Sequence, residues 1–224
     1  MTHLVHQAHL SIDFSGYWHA GSGRSSGHHL DAVCIRDAAD LPFLPGRQLK
    51  GILRNALRRA EAWGWFTDIA LPVGLAKTHE ALLFGSASQE AERDSTFAGL
   101  LQVDSASLAA EESLFLQQPD NVVLRELLFD ELYSTAIDEK SGTAKKYSLR
   151  GIEVCLPVQL YARLGLHVTA LDPELRQQQQ AWLAQANPWQ ALELALPLID
   201  ALGAHRNRGL GEAVLTLNTV ALGA

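Results

Sequence analysis

The chain has little of what several large functional classes require. It carries only two cysteines in 224 residues, Cys34 and Cys155, and their spacing fits no metal motif. Both sit in apolar runs, Val33-Cys34-Ile35 and Val154-Cys155-Leu156, so they read as small core residues rather than as a disulfide framework. No His-Glu-x-x-His or Cys/His spacing points to zinc. No apolar run approaches the ~18 residues that a membrane helix needs. The first residues lack a basic stretch followed by an apolar one. These absences set the expectation of a cytoplasmic protein without a membrane partner. Positive charge is also scarce: 18 Lys and Arg stand against 25 Asp and Glu, for a net charge of −7 and a pI near 5.7. Such a balance excludes indiscriminate nucleic-acid binding and makes the placement of the basic residues matter more than their number. A composition 47% hydrophobic and 19% charged is ordinary for a globular chain, and the length suits one elaborated domain.

The basic residues that are present are grouped. Arg47, Lys50, Arg54, Arg58 and Arg59 fall within 47–59; Lys140, Lys145, Lys146 and Arg150 fall within 140–150; Arg206 and Arg208 stand close to the end. Two of these groups are embedded in glycine-bearing segments. Pro45-Gly46-Arg47-Gln48-Leu49-Lys50-Gly51 opens a helix. Gly203-Ala204-His205-Arg206-Asn207-Arg208-Gly209-Leu210-Gly211 follows a helix and precedes the last apolar run. Each places bare backbone N–H groups beside fixed positive charge, which suits a phosphate backbone. The later segment also reads as a helix C-cap and a turn. It is not a nucleoside-triphosphate loop, because no Gly-Lys-Ser/Thr ends it.

The periodicities outline a fold. Residues 3–14 alternate like a half-buried strand, with a slip around His6. A glycine-rich loop spans Gly16 to Gly27, followed by a short apolar segment from Ala32 to Ile35. Helix one starts at Pro45-Gly46 and stops at Gly64, with Leu49, Ile52, Leu53, Ala56, Leu57 and Ala60 on one face and a free basic face opposite. Residues 65–98 look irregular, and Leu100 to Val103 reads as a strand. An excursion over 122–150 turns at Ser141-Gly142, with arms Leu127 to Ile137 and Lys145 to Leu149. Residues 152–168 form a strand interrupted at Pro157. Glu174 to Ala186 and Trp189 to Leu202 are helical, and Val214 to Leu222 is the closing strand. This order predicts a single α+β domain: a ferredoxin-like (RRM-like) antiparallel sheet with helices on one face and the other able to meet RNA, plus a protruding hairpin.

Three groups invite chemistry. Asp31 and Asp37 bracket an apolar run beside the glycine-rich loop. There a carboxylate can hold Mg²⁺ or another divalent cation and position an attacking 2′-hydroxyl, or simply form a turn. His3, His6, His9, His19, His28 and His29 crowd the first residues, and one of them can act as general base of a metal-free ribonuclease. Lys140, Lys145 and Lys146 mark a hairpin tip that reaches toward bases or serves solubility alone.

Together these segments resemble the RAMP superfamily of CRISPR-associated proteins of antiviral defense, most closely the backbone subunits of type III effector complexes. The matching pieces are Gly21-Ser22-Gly23, Asp31 to Asp37, Leu41 to Arg54, Leu83-Phe84-Gly85, Leu101 to Ala106, Gly142-Thr143-Ala144 with Ser148-Leu149-Arg150 and Glu153, and the late glycine loop. They occur in the family's order and span nearly the whole chain. The resemblance implies a single RAMP-type domain over 1–224 with a β-hairpin thumb at about 128–150. It implies that copies stack along a guide RNA, with each thumb wedging between base pairs of guide and complementary target RNA, alongside other subunits of the effector. Arg47, Gln48, Lys50, Gly51, Arg54, Lys145, Lys146, Arg206, Arg208, Gly209 and Gly211 then hold RNA. Asp31 matches the position of the metal-dependent catalytic aspartate of target-cleaving endoribonuclease members. Arg47 and Gln48 stand where the family usually has two serines. A guide-precursor-processing endoribonuclease of the same superfamily, using an N-terminal histidine, is the alternative.

Overall fold

Alternation along the first segment builds the central strand. A computed structural model of the chain describes residues 3–27, 30–72, 74–85, 98–185 and 187–220. Strand β1, His3–Phe14, buries Ala8, Leu10, Ile12 and Phe14 while His9 and Asp13 face water. Its pairing shifts register between Leu4 and His6, where the sequence period slips. The helix α1, Gly46–Ala62, buries Leu49, Leu53 and Leu57 completely, each such burial being worth about 1.5–3 kcal/mol. It ends at Gly64, whose φ of +75° and bond to the Glu61 carbonyl form a left-handed stop. Helix α2, His79–Phe84, lies within the stretch expected to be irregular. Thr78 caps it by accepting the Ala81 N–H at 3.0 Å, a Thr N-cap signal of the ordinary kind.

Strand β2, Leu101–Val103, leads into helices α3, Ala110–Leu116, and α4, Val122–Glu126. A two-stranded arm follows, β3, Phe129–Ser134, paired antiparallel with β4, Arg150–Cys155. Beyond Pro157 runs β5, Gln159–Val168, then α5, Pro173–Gln185, and α6, Gln190–Ala195. The helix expected to reach Leu202 stops early: Leu196–Leu198 tighten into a 3-10 turn because Pro197 has no N–H to offer. Strand β6, Ala213–Val220, closes the described chain, so the last two residues of the expected strand, together with Ala186 and 86–97, lie outside the described residues.

The main sheet has the order β2-β5-β1-β6, with β1 antiparallel to both neighbours. With the arm set aside, the connectivity is βαββαβ, as a ferredoxin-like sheet requires. Helices and antiparallel sheet share one core. The opposite face exposes His9, Asp13, Tyr161 and Arg163.

The arm differs from expectation at its return strand, which is Arg150–Cys155 rather than 145–149. Tyr147 adopts φ +63°, and the Ser148 hydroxyl binds the Lys145 carbonyl, the Ala136 N–H and Thr135, so residues 135–149 curl into a compact tip. At its root, Trp18 bridges Cys155 and Ala32 bridges Ile152, while the Arg36 guanidinium lies 3.7 Å over the Phe129 ring.

Candidate nucleic-acid interface

The late glycine loop is built by close backbone approach. A Cβ on Gly203 would stand 2.5 Å from the His19 carbonyl oxygen, and one on Gly211 would stand 1.9 Å from that of Leu202. The Ala204 N–H donates to the His19 carbonyl and the Gly211 N–H to that of Tyr17, both at 2.8 Å. Between these anchors Arg206–Arg208 make a 3-10 turn flanked by left-handed His205 and Gly209, at φ +57° and +83°. Arg206, Asn207, Arg208 and Gly209 are exposed, beside a cavity of about 500 Å³ lined by Asp200, Gly203, His205 and Arg206. Neither guanidinium has an ion-pair or hydrogen-bond partner among the described residues. A Cβ on Gly209 would meet nothing within 4 Å.

Next to this loop lies the early one. The Ser22 hydroxyl binds the Val33 carbonyl at 2.8 Å and receives the Arg24 N–H, shaping a small hairpin with Gly23 and Gly27 in left-handed conformations. The two aspartates separate cleanly. Asp37 accepts the N–H groups of Ala39 and Leu41 at 2.8 and 2.9 Å and forms the turn. Asp31 gives its N–H to the Gly151 carbonyl at the arm's root, and its exposed carboxylate has no hydrogen-bond partner among the described residues.

Several histidines are already engaged. His19 is buried, its Nδ1 2.6 Å from the Glu153 carbonyl, and His6 Nε2 lies 2.9 Å from that of Leu183. His9 is exposed on the open face of the sheet. The side chain of His3, and His28 and His29 altogether, lie outside the described residues. Among the described residues no group of three or more His, Cys, Asp or Glu side chains can hold a metal ion. Asp31 therefore fits a divalent cation only as one carboxylate completed by phosphate oxygens and water, a shared arrangement that Mg²⁺ accepts.

The start of α1 forms the other glycine site. Gly46 is packed so closely that a Cβ would meet the Val103 carbonyl at 2.5 Å, and its N–H reaches Ser105 Oγ at 3.1 Å. No side chain caps the helix and no acid occupies its first turn, so the Arg47 and Gln48 N–H groups have no partner among the described residues and stand beside the exposed Arg47 side chain. Farther along, the basic face is not free. Lys50 Nζ donates to the Leu101 carbonyl at 2.6 Å, and burial, then neighbouring Arg54, lowers its amine from the ordinary value. Arg54 pairs with Glu80 and bonds the Gly85 carbonyl, and Arg58 reaches Glu80 at 3.1 Å. Glu80 stands on α2, the element the sequence did not announce, so nothing local to α1 could reveal this neutralisation. Gly51 is exposed in mid-helix, with nothing within 4 Å of its Cβ position.

Sheet order places the late loop at the β6 edge and Ser105 beyond the β2 edge. The run after β2 continues beside β5, with the Ser107 N–H on the Tyr161 carbonyl, toward the sheet end where β6 begins. The two glycine sites thus share one end of the sheet but lie on the order of 14 Å apart across its width, three inter-strand steps. Lys140, Lys145 and Lys146 are exposed at the arm's tip. Beside them stands a residue the sequence reading passed over: Tyr147, fully exposed in a left-handed conformation. An aromatic directly after two lysines in a polar tip was the available signal.

Two outcomes follow from this geometry. Gly211→Ala should cost several kcal/mol, since steric overlap of about 1–3 kcal/mol adds to the strain of a positive φ. Gly209→Ala bears only the strain, about 1–2 kcal/mol, because its surroundings are open; equal losses in urea denaturation would refute the packing account. For Glu80, burial pushes the carboxyl up, but the hydrogen bonds and charges of Arg54 and Arg58 outweigh it and hold the group below its ordinary value. Its contribution is complete above the ordinary carboxylate range and disappears as pH falls through the lowered value. Glu80→Gln should therefore lose about 1–3 kcal/mol at neutral pH and converge on the native chain in acid, measured by thermal melts across pH.

Three comparisons bear on identity. No curated protein matches the chain in sequence. In fold it is similar to a chain of the type III-B Cmr-beta complex bound to cognate target RNA, with a TM-score of 0.62 and 12% identity over 94% of this chain and 96% of that one. A chain of the same complex in its apo state gives a TM-score of 0.60, again at 12% identity and the same coverage. A family model described as the RAMP superfamily matches residues 12–214. A match over that length settles the matter of family: the chain belongs to the RAMP superfamily.

Proposed function

We propose that the chain is a guide-RNA-binding backbone subunit of a type III CRISPR ribonucleoprotein effector. The observation that carries this reading is the pair of glycine sites at one end of the sheet. Each combines unpaired backbone N–H groups or left-handed glycine with an unpaired guanidinium, Arg47 at one and Arg206 and Arg208 at the other. A small phosphate ligand cannot touch both across about 14 Å, whereas an extended polyanion can. Family membership and likeness to chains of a Cmr-beta complex agree with it. Lys145, Lys146 and Tyr147 add a basic, aromatic tip suited to bases, with the complementary target as the strand it meets. Copies of the chain along the guide and other effector subunits are the further partners.

Gly51 supplies a sharp test. A glycine in an exposed helix interior lowers stability by roughly 0.5–1 kcal/mol relative to alanine. Nothing inside the chain needs the missing Cβ, so its use is close approach from outside. Gly51→Ala should raise the melting temperature and weaken binding of a single-stranded guide. An alanine variant that gains stability and keeps full affinity would remove this surface from the RNA path. In salt titrations, Arg206→Ala with Arg208→Ala should reduce the log–log slope by about 1.4, at roughly 0.7 per lost contact to a single strand. Lys50→Ala with Arg54→Ala should change the slope much less, because those cations are engaged internally.

Asp31 is proposed to cleave the target with a divalent cation. It is the one of the two candidate acids whose carboxylate is not consumed by a turn. Bound there, the cation would stabilise charge on the scissile phosphate. In the assembled effector with Mg²⁺ and complementary target, Asp31→Asn should abolish cleavage and leave guide binding intact. Undiminished cleavage would make the chain a scaffold.

A further inference from the structure

Helix α5 carries an unbroken run of glutamines, Gln177 to Gln180, that the RNA reading does not use. Gln179 has a structural use. It is buried, and its Oε1 accepts the Thr169 and Ala170 N–H groups, both at 3.0 Å. Gln178 has none: its Oε1 is closed to water and meets no donor among the described residues. One turn along the same face, Trp182 Nε1 is buried and unpartnered in the same way. Folded chains rarely leave a donor and an acceptor buried and unsatisfied one helical turn apart.

Both residues line a cavity of about 550 Å³ formed by α5 and the loop after α1. That loop is held by the Ile69 N–H on the Phe66 carbonyl and the Leu75 N–H on the Pro72 carbonyl, at 3.0 and 3.3 Å. Ile69, Leu71 and Pro72 give the cavity apolar walls, and Asp68 is the one charged residue among the described residues that line it. The Asp68 carboxylate is in no ion pair among the described residues. Asn187 also lines the cavity; its Oδ1 takes the Trp189 N–H at 3.2 Å, which leaves its amide N–H groups for an occupant. A few polar groups converging within apolar walls at this volume are the make-up of a small-molecule site. No lysine or arginine lines it, so a phosphate finds no countercharge there. The 17 residues of α1 also carry this loop about 25 Å from the glycine site at the helix start, at ~1.5 Å per residue.

We infer that this cavity binds an uncharged purine, guanine or its nucleoside, as a free molecule. The argument is a match of hydrogen-bond types. A carboxylate only accepts, and guanine alone among the bases presents two adjacent donors, N1–H and the N2 amine, to the two oxygens of Asp68. Trp182 Nε1–H and the Asn187 amide are donors suited to O6 and N7. Gln178 Oε1 then accepts the second N2 hydrogen or a ribose hydroxyl. Adenine has no N1–H and turns an acceptor toward Asp68, which leaves the carboxylate unpaired. Neither Trp182 Nε1 nor Gln178 Oε1 has a partner to give up, so turning either toward a ligand breaks no hydrogen bond among the described residues. The inference stands apart from the RNA reading, because it uses none of the residues assigned to the strand.

Calorimetric titration of the full chain with guanosine tests it. Guanosine should bind saturably at one site per chain, and adenosine at least about tenfold more weakly. Inosine, which keeps N1–H and O6 but lacks the N2 amine, should fall between them. Guanosine 5′-monophosphate should bind no more tightly than guanosine, because no cation lines the cavity. Trp182→Phe keeps the ring and removes the donor. It should weaken guanosine about tenfold while the free chain melts no lower, since Nε1 has no partner there to lose. Asp68→Asn, on an exposed loop, should erase the preference for guanosine over adenosine and replaces the tryptophan variant if that one fails to fold. Arg206→Ala with Arg208→Ala should bind guanosine as the native chain does. No binding of guanosine overturns the inference, as does equal affinity for adenosine. So does guanosine binding that neither Trp182→Phe nor Asp68→Asn alters, or a monophosphate that binds far more tightly than the nucleoside. Displacement of guanosine by a guanosine-containing single-stranded RNA would hand the cavity to the RNA path and overturn it too.

Discussion

The backbone of Tyr17 to Gly21 is used on both of its edges, and the candidate interface depends on that double use. On one side Trp18 exchanges hydrogen bonds with Cys155, at 3.1 and 2.7 Å, and the Ala20 carbonyl receives the Ile35 N–H, fixing the arm's root and the segment that carries Asp31. On the other side the Tyr17 and His19 carbonyls receive Gly211 and Ala204, fixing the late loop. Contact this close is available only to glycine at 203 and 211. Beneath it, the buried His19 ring meets the Glu153 carbonyl, and Cys34 packs against His19 and Cys155. Hydrogen bonding from Cys155 draws the Cys34 thiol down to about 6, with burial opposing and His19 assisting, while the Cys155 thiol is pushed far up. This buried polar cluster ties three segments far apart in sequence to one strand-like spine.

Charge in the chain is arranged by function rather than by amount. A pI near 5.7 is compatible with an RNA path because much of the acid lies elsewhere or is neutralised. Glu80 occupies Arg54 and Arg58, Glu153 occupies Arg36, and Glu111, Glu112, Asp120 and Glu126 lie on the α3–α4 excursion, outside both glycine segments in sequence. Arg47, Arg206 and Arg208, the guanidinium groups beside bare backbone, are among the cations left without a partner among the described residues.

How much of this was legible in the sequence depended on the range of the interaction. Strand β1, its slip at His6, and helix α1 with its Gly64 stop are written in local periodicity and local stop signals, and all three are where the pattern put them. The sheet order followed from the sequence of elements. What local pattern could not carry were pairings across long separations. Helical spacing put Lys50 and Arg54 on a polar face, but only the fold brings the Leu101 carbonyl and Glu80 to meet them. Asp31 and Asp37 looked alike until the Ala39 and Leu41 N–H groups claimed one of them. The late loop was read for its arginines and for glycines that allow a phosphate to approach, while the close approach at Gly203 and Gly211 is made inside the chain, by the carbonyls of His19 and Leu202.

The central claim is that one RNA strand touches both glycine sites at once. Photo-crosslinking of the protein to a single-stranded guide carrying 4-thiouridine, followed by mass-spectrometric mapping of the peptides, addresses it directly. The account predicts crosslinks in 203–211 and in 46–51 from the same RNA, at different nucleotides. Crosslinks confined to one of these segments, or concentrated at Trp63 and Trp65, would contradict it.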